Sequence, residues 1–302
     1  MTDIRTGHAP VGELNLAYED HGDLDAPPVL LIMGLSAQLT GWPDGFCARL
    51  VDHGYRVIRF DNRDIGLSTH LTGVRVGGSA IMRMLRTEFG LPSPVPYTVV
   101  DMADDAVGVL DHLGIERAHI VGGSMGGMIA QVVAGKHRHR TRSVGILFSS
   151  TLQRLLPPPH PRQLLAMLSG PGKNATRQDY IENSADALQK IGSPGYPLDR
   201  DAALELAATY YDRAHNPAGV VRQAAAVMGT GSLLPHARAI SAPTVVIHGT
   251  ADRLMPPSGG KAIAKAVRHS RLVLIDGMGH DLPEPLWPQI TDELVATFRA
   301  GG

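Results

Sequence analysis

Val121-Gly122-Gly123-Ser124-Met125-Gly126-Gly127-Met128 decides how this chain is read. A short apolar run, Ala118 to Val121, enters it and a helix-compatible run, Met128 to Ala134, leaves it. The pattern predicts strand, tight turn and helix, with a serine at the apex. A serine hydroxyl is a poor nucleophile at neutral pH unless a neighbouring base takes its proton. A sharp strand-to-helix corner exposes the oxygen and aims the helix N-terminus, with its free N–H groups and partial positive charge, at an oxyanion. Such a corner crowds the positions two before and two after the serine, and both are glycine here, Gly122 and Gly126. Glycine-rich turns also serve as plain connections, so the rest of the chain has to supply the base and its partner.

Upstream of the turn, Val29-Leu30-Leu31-Ile32-Met33 is too continuous for an edge strand and reads as one buried on both faces. It runs into Gly34-Leu35-Ser36; Phe46 to Val51 follows as a helix, ended by Asp52-His53-Gly54, and Tyr55 to Phe60 is another apolar strand. A repeated strand, loop, helix unit makes the sheet mainly parallel and puts functional loops at the strands' C-terminal ends. Before it, Gly12 to Tyr18 alternates as a half-exposed strand, and Asp20 to Pro28 reads as a turn-rich connection. Thr98 and Asp101 suit the start of a helix whose apolar residues, Met102 to Leu113, recur at helical spacing until Gly114.

Two stretches between these elements are less regular. Asp61-Asn62-Arg63-Asp64-Ile65-Gly66-Leu67-Ser68 is a polar loop in which Asp61, Arg63 and Asp64 are expected to pair with one another and with the backbone. In Gly73 to Pro96, Ile81, Met82, Met84, Leu85 and Phe89 predict a short helix apolar on one side, packing on the domain or edging a pocket.

With 302 residues, 43% hydrophobic and 19% charged, the chain is globular and large enough for one α/β domain with an insertion. A formal net charge of −1 provides no field for recruiting nucleic acid or acidic membranes. The basic cluster Lys136-His137-Arg138-His139-Arg140 offsets a helix C-terminus, and its two histidines diverge on a helix, so no metal is expected there. Cys47, the single cysteine, cannot form an internal disulfide. The start Met-Thr-Asp-Ile-Arg lacks the pattern of a signal peptide, and no apolar stretch approaches the ~20 residues of a membrane span. The expectation is a cytoplasmic protein without stable membrane insertion.

After the strand Val144 to Phe148 the texture changes to Pro157-Pro158-Pro159, glycine pairs and helical segments such as Ala202 to Tyr211, before strand texture resumes at Thr244-Val245-Val246-Ile247. Residues 151–241 therefore read as a helical cap inserted into a core formed by 1–150 and 242–302. Met167, Leu168, Tyr210, Tyr211 and Met228 are candidates for its pocket wall, and lids of this kind commonly gate access.

Past the Thr244 strand comes His248-Gly249-Thr250-Ala251-Asp252, and past the Arg271 to Ile275 strand comes Gly277-Met278-Gly279-His280. A carboxylate and a histidine thus each follow a strand end, on the same sheet edge as Ser124. With the turn Gly122 to Gly127, Asp252-Arg253, Gly277 to His280 and the D-x-R-x-x-G-x-S loop at Asp61 to Ser68, the chain resembles the α/β-hydrolases over essentially its whole length. The Met33-Gly34 loop, Gly41-Trp42-Pro43-Asp44 and Ser124-Met125-Gly126 look most like aclacinomycin methylesterase-type and actinobacterial lipase/esterase members.

The resemblance implies a mainly parallel central sheet flanked by helices. It implies Ser124 as nucleophile in the elbow, His280 as general base and Asp252 as the residue that orients the imidazole, with backbone N–H groups of Leu35 and Met125 as the oxyanion hole. Some relatives place the acid after the preceding strand, but Ser149 and Ser150 stand there. The implied activity is serine carboxylic-ester hydrolysis (EC 3.1.1) on a small to medium apolar ester, through an acyl-enzyme and without cofactor or metal. A thioesterase, a phospholipase, a carbon–carbon bond hydrolase, a perhydrolase or a non-catalytic receptor would share the pattern. Dehalogenases and epoxide hydrolases of this family use an aspartate at the elbow.

Overall fold

The computed structural model describes residues 4–168, 170–172 and 174–302, and the side chains of Met167 and Leu168 lie outside the described residues. Among the described residues eight strands form one sheet: β1 (Ile4–Val11), β2 (Leu14–His21), β3 (Pro28–Ile32), β4 (Arg56–Phe60), β5 (Ala118–Gly123), β6 (Thr141–Leu147), β7 (Thr244–Gly249) and β8 (Arg271–Ile275). Their order is β1-β2-β4-β3-β5-β6-β7-β8. From β4 to β8 all neighbours are parallel, whereas β1 and β2 run antiparallel to their neighbours.

The opening hairpin is longer than its sequence suggests. β1 carries the mostly polar Ile4-Arg5-Thr6-Gly7-His8, with Ile4, Thr6 and His8 exposed and Arg5 and Gly7 half-buried, so no apolar alternation marks it as a strand, and Gly12 turns the chain at φ +57°. Asp20 and His21, expected in a connection, are strand residues. Asp20 is buried because Arg56 forks onto it at 3.0 Å and Arg5 joins at 3.2 Å.

The continuous apolar runs of the inner strands serve two cores, since alternate side chains face opposite sides of a sheet. Leu30, Ile32 and Ile120 join one core; Val29, Leu31 and Val121 join the other. The first is covered by α3 (Val99–His112), α4 (Met125–Lys136) and α10 (Ser258–Ala266), the second by α1 (Asp44–Asp52) and α11 (Trp287–Gly301). Helix α3 opens on a capping box in which Thr98 Oγ1 accepts from Asp101 N–H and the Thr98 N–H donates to Asp101 at 2.7 Å. At the end of α4, Lys136 and His137 both hold Asp104 of α3, so the basic cluster also ties two helices together.

Between β6 and β7 the chain runs through α5 (Pro161–Leu168), α6 (Arg177–Ile191), α7 (Arg200–Arg213), α8 (Pro217–Thr230) and α9 (Leu234–Ala239). Ile181, Ala185, Ala203 and Ala207 give α6 and α7 a small core of their own. Ala226 of α8, with Leu233, Ala237 and Ile240, packs instead into the first main core. Helix α2 (Ala80–Glu88) lies where the sequence places it but the other way round: Arg83 is 5% exposed, while Ile81, Met82, Met84, Leu85 and Phe89 face outward.

Candidate active site

β5 delivers Ser124 and α4 begins at the next residue. Ser124 sits at φ +56° and ψ −121°, a conformation that L side chains adopt rarely and at a cost on the order of 1–3 kcal/mol. The corner closes only because its flanks lack side chains. A Cβ on Gly122 would come within 2.1 Å of Gly126 O, and one on Gly126 within 2.0 Å of Ile32 O. The cost is offset by Ser124 N–H donating to Leu147 O at 3.0 Å and Ser149 Oγ donating to Ser124 O at 2.7 Å.

The loops after β7 and β8 bring Asp252 and His280 to this corner. His280 Nδ1 lies 2.8 Å from Asp252 Oδ2 and its Nε2 lies 2.9 Å from Ser124 Oγ. With the proton on Nδ1, donated to the carboxylate, Nε2 is left to accept the serine proton. Asp252 Oδ1 in turn accepts from the N–H groups of Leu254 at 3.0 Å and Met255 at 2.8 Å. Burial opposes ionisation of Asp252, but the adjacent His280, with hydrogen bonds from His248, His280 and Met255 N–H, outweighs it and holds the carboxyl well below the usual range. Asp252 is therefore an anion at neutral pH, able to stabilise an imidazolium. Phe148 stands edge-on to the His280 ring, with centroids 5.1 Å apart.

The oxyanion candidates lie on either side of Ser124. Met125 is the first residue of α4, so its N–H has no acceptor within the helix. The turn after β3 approaches so closely that a Cβ on Gly34, the residue before Leu35, would be 2.9 Å from Ser124 Cβ. Residues that the sequence reading does not single out fix that turn: Asn62 Nδ2 donates to Met33 O at 2.9 Å, and the Ser36 N–H donates to Gln223 Oε1 at 3.1 Å. Asn62 lies in the loop read as polar, so its position was visible. Gln223 comes from α8, far along the chain, and nothing in the sequence marks it.

The polar loop after β4 departs from expectation. Asp61 and Asp64 do accept from backbone, Asp61 from Leu39 and Leu67 and Asp64 from Leu71. Their cations come from elsewhere: Asp61 pairs with Arg213 at 2.8 Å, Asp64 with Arg222 at 2.7 Å, and Arg63 with Asp105. The loop is thus a buried ionic junction that ties it to α3 and to the helices between β6 and β7, because carboxylates that lose water need fixed charges from any element in reach.

Of the suggested pocket residues, the Tyr210 hydroxyl lies against Gly41, while Tyr211 packs on His215 and Tyr180. Cys47 is buried beside Arg59, and burial pushes its thiol up to about 12, so it is inert. Among the described residues no cluster of three His, Cys, Asp or Glu side chains could hold a metal ion. No helix among them is long and apolar enough to cross a membrane.

A family model described as alpha/beta hydrolase fold matches residues 27–284. Rhodomycin D methylesterase DnrP of Streptomyces peucetius is 27% identical over 95% of this chain and 96% of its own. The putative carbamate hydrolase RutD of Pseudomonas savastanoi pv. phaseolicola is 26% identical over 87% of this chain and 90% of its own. Among solved structures, the enol-lactonase of Burkholderia xenovorans LB400 superposes with a TM-score of 0.73 at 22% identity, covering 97% of this chain and all of that one. At that identity the superposition speaks for the fold alone.

Proposed function

The chain belongs to the alpha/beta hydrolase fold family, and from that premise we propose that it is a serine carboxylic-ester hydrolase working through Ser124, His280 and Asp252. The observation that carries the reading is the unbroken chain of contacts from Ser124 Oγ through both ring nitrogens of His280 to Asp252, at 2.9 and 2.8 Å.

In this reading His280 Nε2 takes the Ser124 proton as Oγ attacks the ester carbonyl. The tetrahedral oxyanion meets the N–H groups of Met125 and Leu35, and loss of one such donor costs about 10²- to 10³-fold in rate. His280, now charged and held by Asp252, returns its proton to the leaving alkoxide, and the alcohol departs. Water then enters, gives its proton to the same nitrogen as its oxygen attacks the acyl carbonyl, and His280 passes that proton to Ser124 Oγ as the acyl bond breaks and the acid leaves. The likeness to a methylesterase supports an ester of a small alcohol; the acid partner would be chosen by the inserted helices 151–241, which we assign as the cap over the site.

A panel of p-nitrophenyl esters and matching thioesters, graded by acyl length, tests this with the Ser124→Ala protein as control. The wild type should turn over esters and be labelled by a fluorophosphonate at Ser124. Full activity in Ser124→Ala, or no labelling of folded wild type, would overturn the reading, the latter in favour of a non-catalytic receptor.

A further inference from the structure

Helix α2 is amphipathic and mounted inside out. Two of its polar side chains turn inward, Arg83 donating to Gly77 O and Thr87 Oγ1 donating to Met228 O of α8 at 2.7 Å, while Arg86 and Glu88 stay exposed. Its apolar side is left in water, with Ile81 72%, Met82 58%, Leu85 51% and Phe89 55% exposed. Leu155, 81% exposed, extends the patch, because the neighbouring Arg154 lies 5.5 Å over the Phe89 ring. Exposed large side chains scattered singly need no explanation, but one helix face of them does.

The charge around this face is one-sided. Between Asp64 and Asp101 the only acid is Glu88, and no Asp or Glu occurs from residue 117 to 178 or from 213 to 251. The elements against α2, namely α8 and the Leu152–Arg154 segment, come from those acid-free stretches. Among the described residues, the exposed Arg75 and Arg86 line a groove with Met82 and the exposed Arg154 lies over Phe89, in a chain whose net charge is −1. A symmetric pair of copies joined through this face would set these arginines against their own likeness, which disfavours a dimer. An anionic amphiphile surface satisfies both features at once. Apolar side chains enter the acyl boundary while arginines meet the headgroups and let their stems lie along the apolar layer.

We propose that the outward face of α2, extended by Leu155, docks the protein reversibly onto an anionic lipid surface. The docking is peripheral and independent of the chemistry at Ser124. The test is flotation of the full chain with phosphatidylcholine vesicles, with and without phosphatidylglycerol. The wild type and Ser124→Ala should float together with the phosphatidylglycerol vesicles, less at high salt, and poorly with phosphatidylcholine alone. A combined Ile81→Ser, Leu85→Ser, Phe89→Ser protein should lose the binding while unfolding at an unchanged temperature, since these side chains already contact water. Arg75→Gln and Arg154→Gln should each weaken it about fivefold, the factor equivalent to ~1 kcal/mol per basic residue near such a surface. Equal flotation on both vesicle types, no flotation, or undiminished flotation of the triple variant would each overturn the proposal. So would a dimer in light scattering that Ile81→Asp dissociates, which would give the face to a second copy.

Discussion

Gln223 of α8 accepts a hydrogen bond from the Ser36 N–H, and its own Nε2 donates to Arg63 O at 2.9 Å. One fully buried side-chain amide therefore joins a helix between β6 and β7 to two loops at strand ends, one of which holds Gly34 against Ser124. Ser36 itself sits at φ +63°, a strained conformation that needs a partner to persist.

Removing that amide should loosen the turn proposed to supply the oxyanion donor without touching Ser124 or His280. We expect Gln223→Leu to lower kcat about tenfold, less than the loss of a whole oxyanion donor, with KM little changed. Gln223→Glu keeps the oxygen that Ser36 needs and should recover part of the rate. Steady-state kinetics on one ester decides it. Equal losses in both variants would mean that the side chain matters only for packing.

Asp252 offers a second test, because its charge and its shape can be separated. Asp252→Asn preserves volume but replaces an anion that holds the Nδ1 proton with a neutral amide. A kcat loss on the order of 10⁴-fold is expected, the size such a change produces where an aspartate sets the histidine tautomer. A loss smaller than tenfold would remove Asp252 from the proposed mechanism.

The ionic junction beneath the inserted helices should show in stability. Asp64 and Arg222 are both buried, and each holds the other's charge away from water. Arg222→Leu strands the Asp64 carboxylate and should cost about 3–5 kcal/mol in urea denaturation. Adding Asp64→Leu to it should recover much of that loss, since a buried pair replaced by apolar groups is often neutral.

Acid sensitivity should centre on His119. It is buried against Phe298, with ring centroids 4.6 Å apart, and bonded to Ser143 Oγ at 2.8 Å. Burial, with Arg142 and Arg117 nearby, pushes its imidazolium pKa down to about 4 from the ordinary 6.5. Between those values the unfolded chain binds a proton that the folded one refuses, so stability falls as pH falls through that window, by about 3 kcal/mol in all. His119→Phe should flatten the slope of unfolding free energy against pH between 6.5 and 4. An unchanged slope would show that other groups govern it.

The sequence by itself determined the frame of this protein and the three residues proposed for its chemistry. Continuous apolar runs such as Val29 to Ile32, rich in β-branched and leucine side chains and bounded by turn residues, read as strands covered on both sides. Gly122 and Gly126 mark a corner that side chains cannot enter, and Asp252 and His280 each follow a strand of one parallel sheet. These signals are local, and a parallel sheet gathers its strand ends on one edge, so local reading carries to three dimensions there. What only the tertiary structure decided depends on partners distant in sequence. Asp61, Arg63 and Asp64 were legible as a polar loop, yet their partners Arg213, Asp105 and Arg222 come from helices that no spacing relates to them. Gln223 acquires its role only because α8 lies against the turn after β3. The period of α2 revealed its apolar stripe but not which way that stripe faces, because periodicity describes one helix and orientation is set by what that helix packs against.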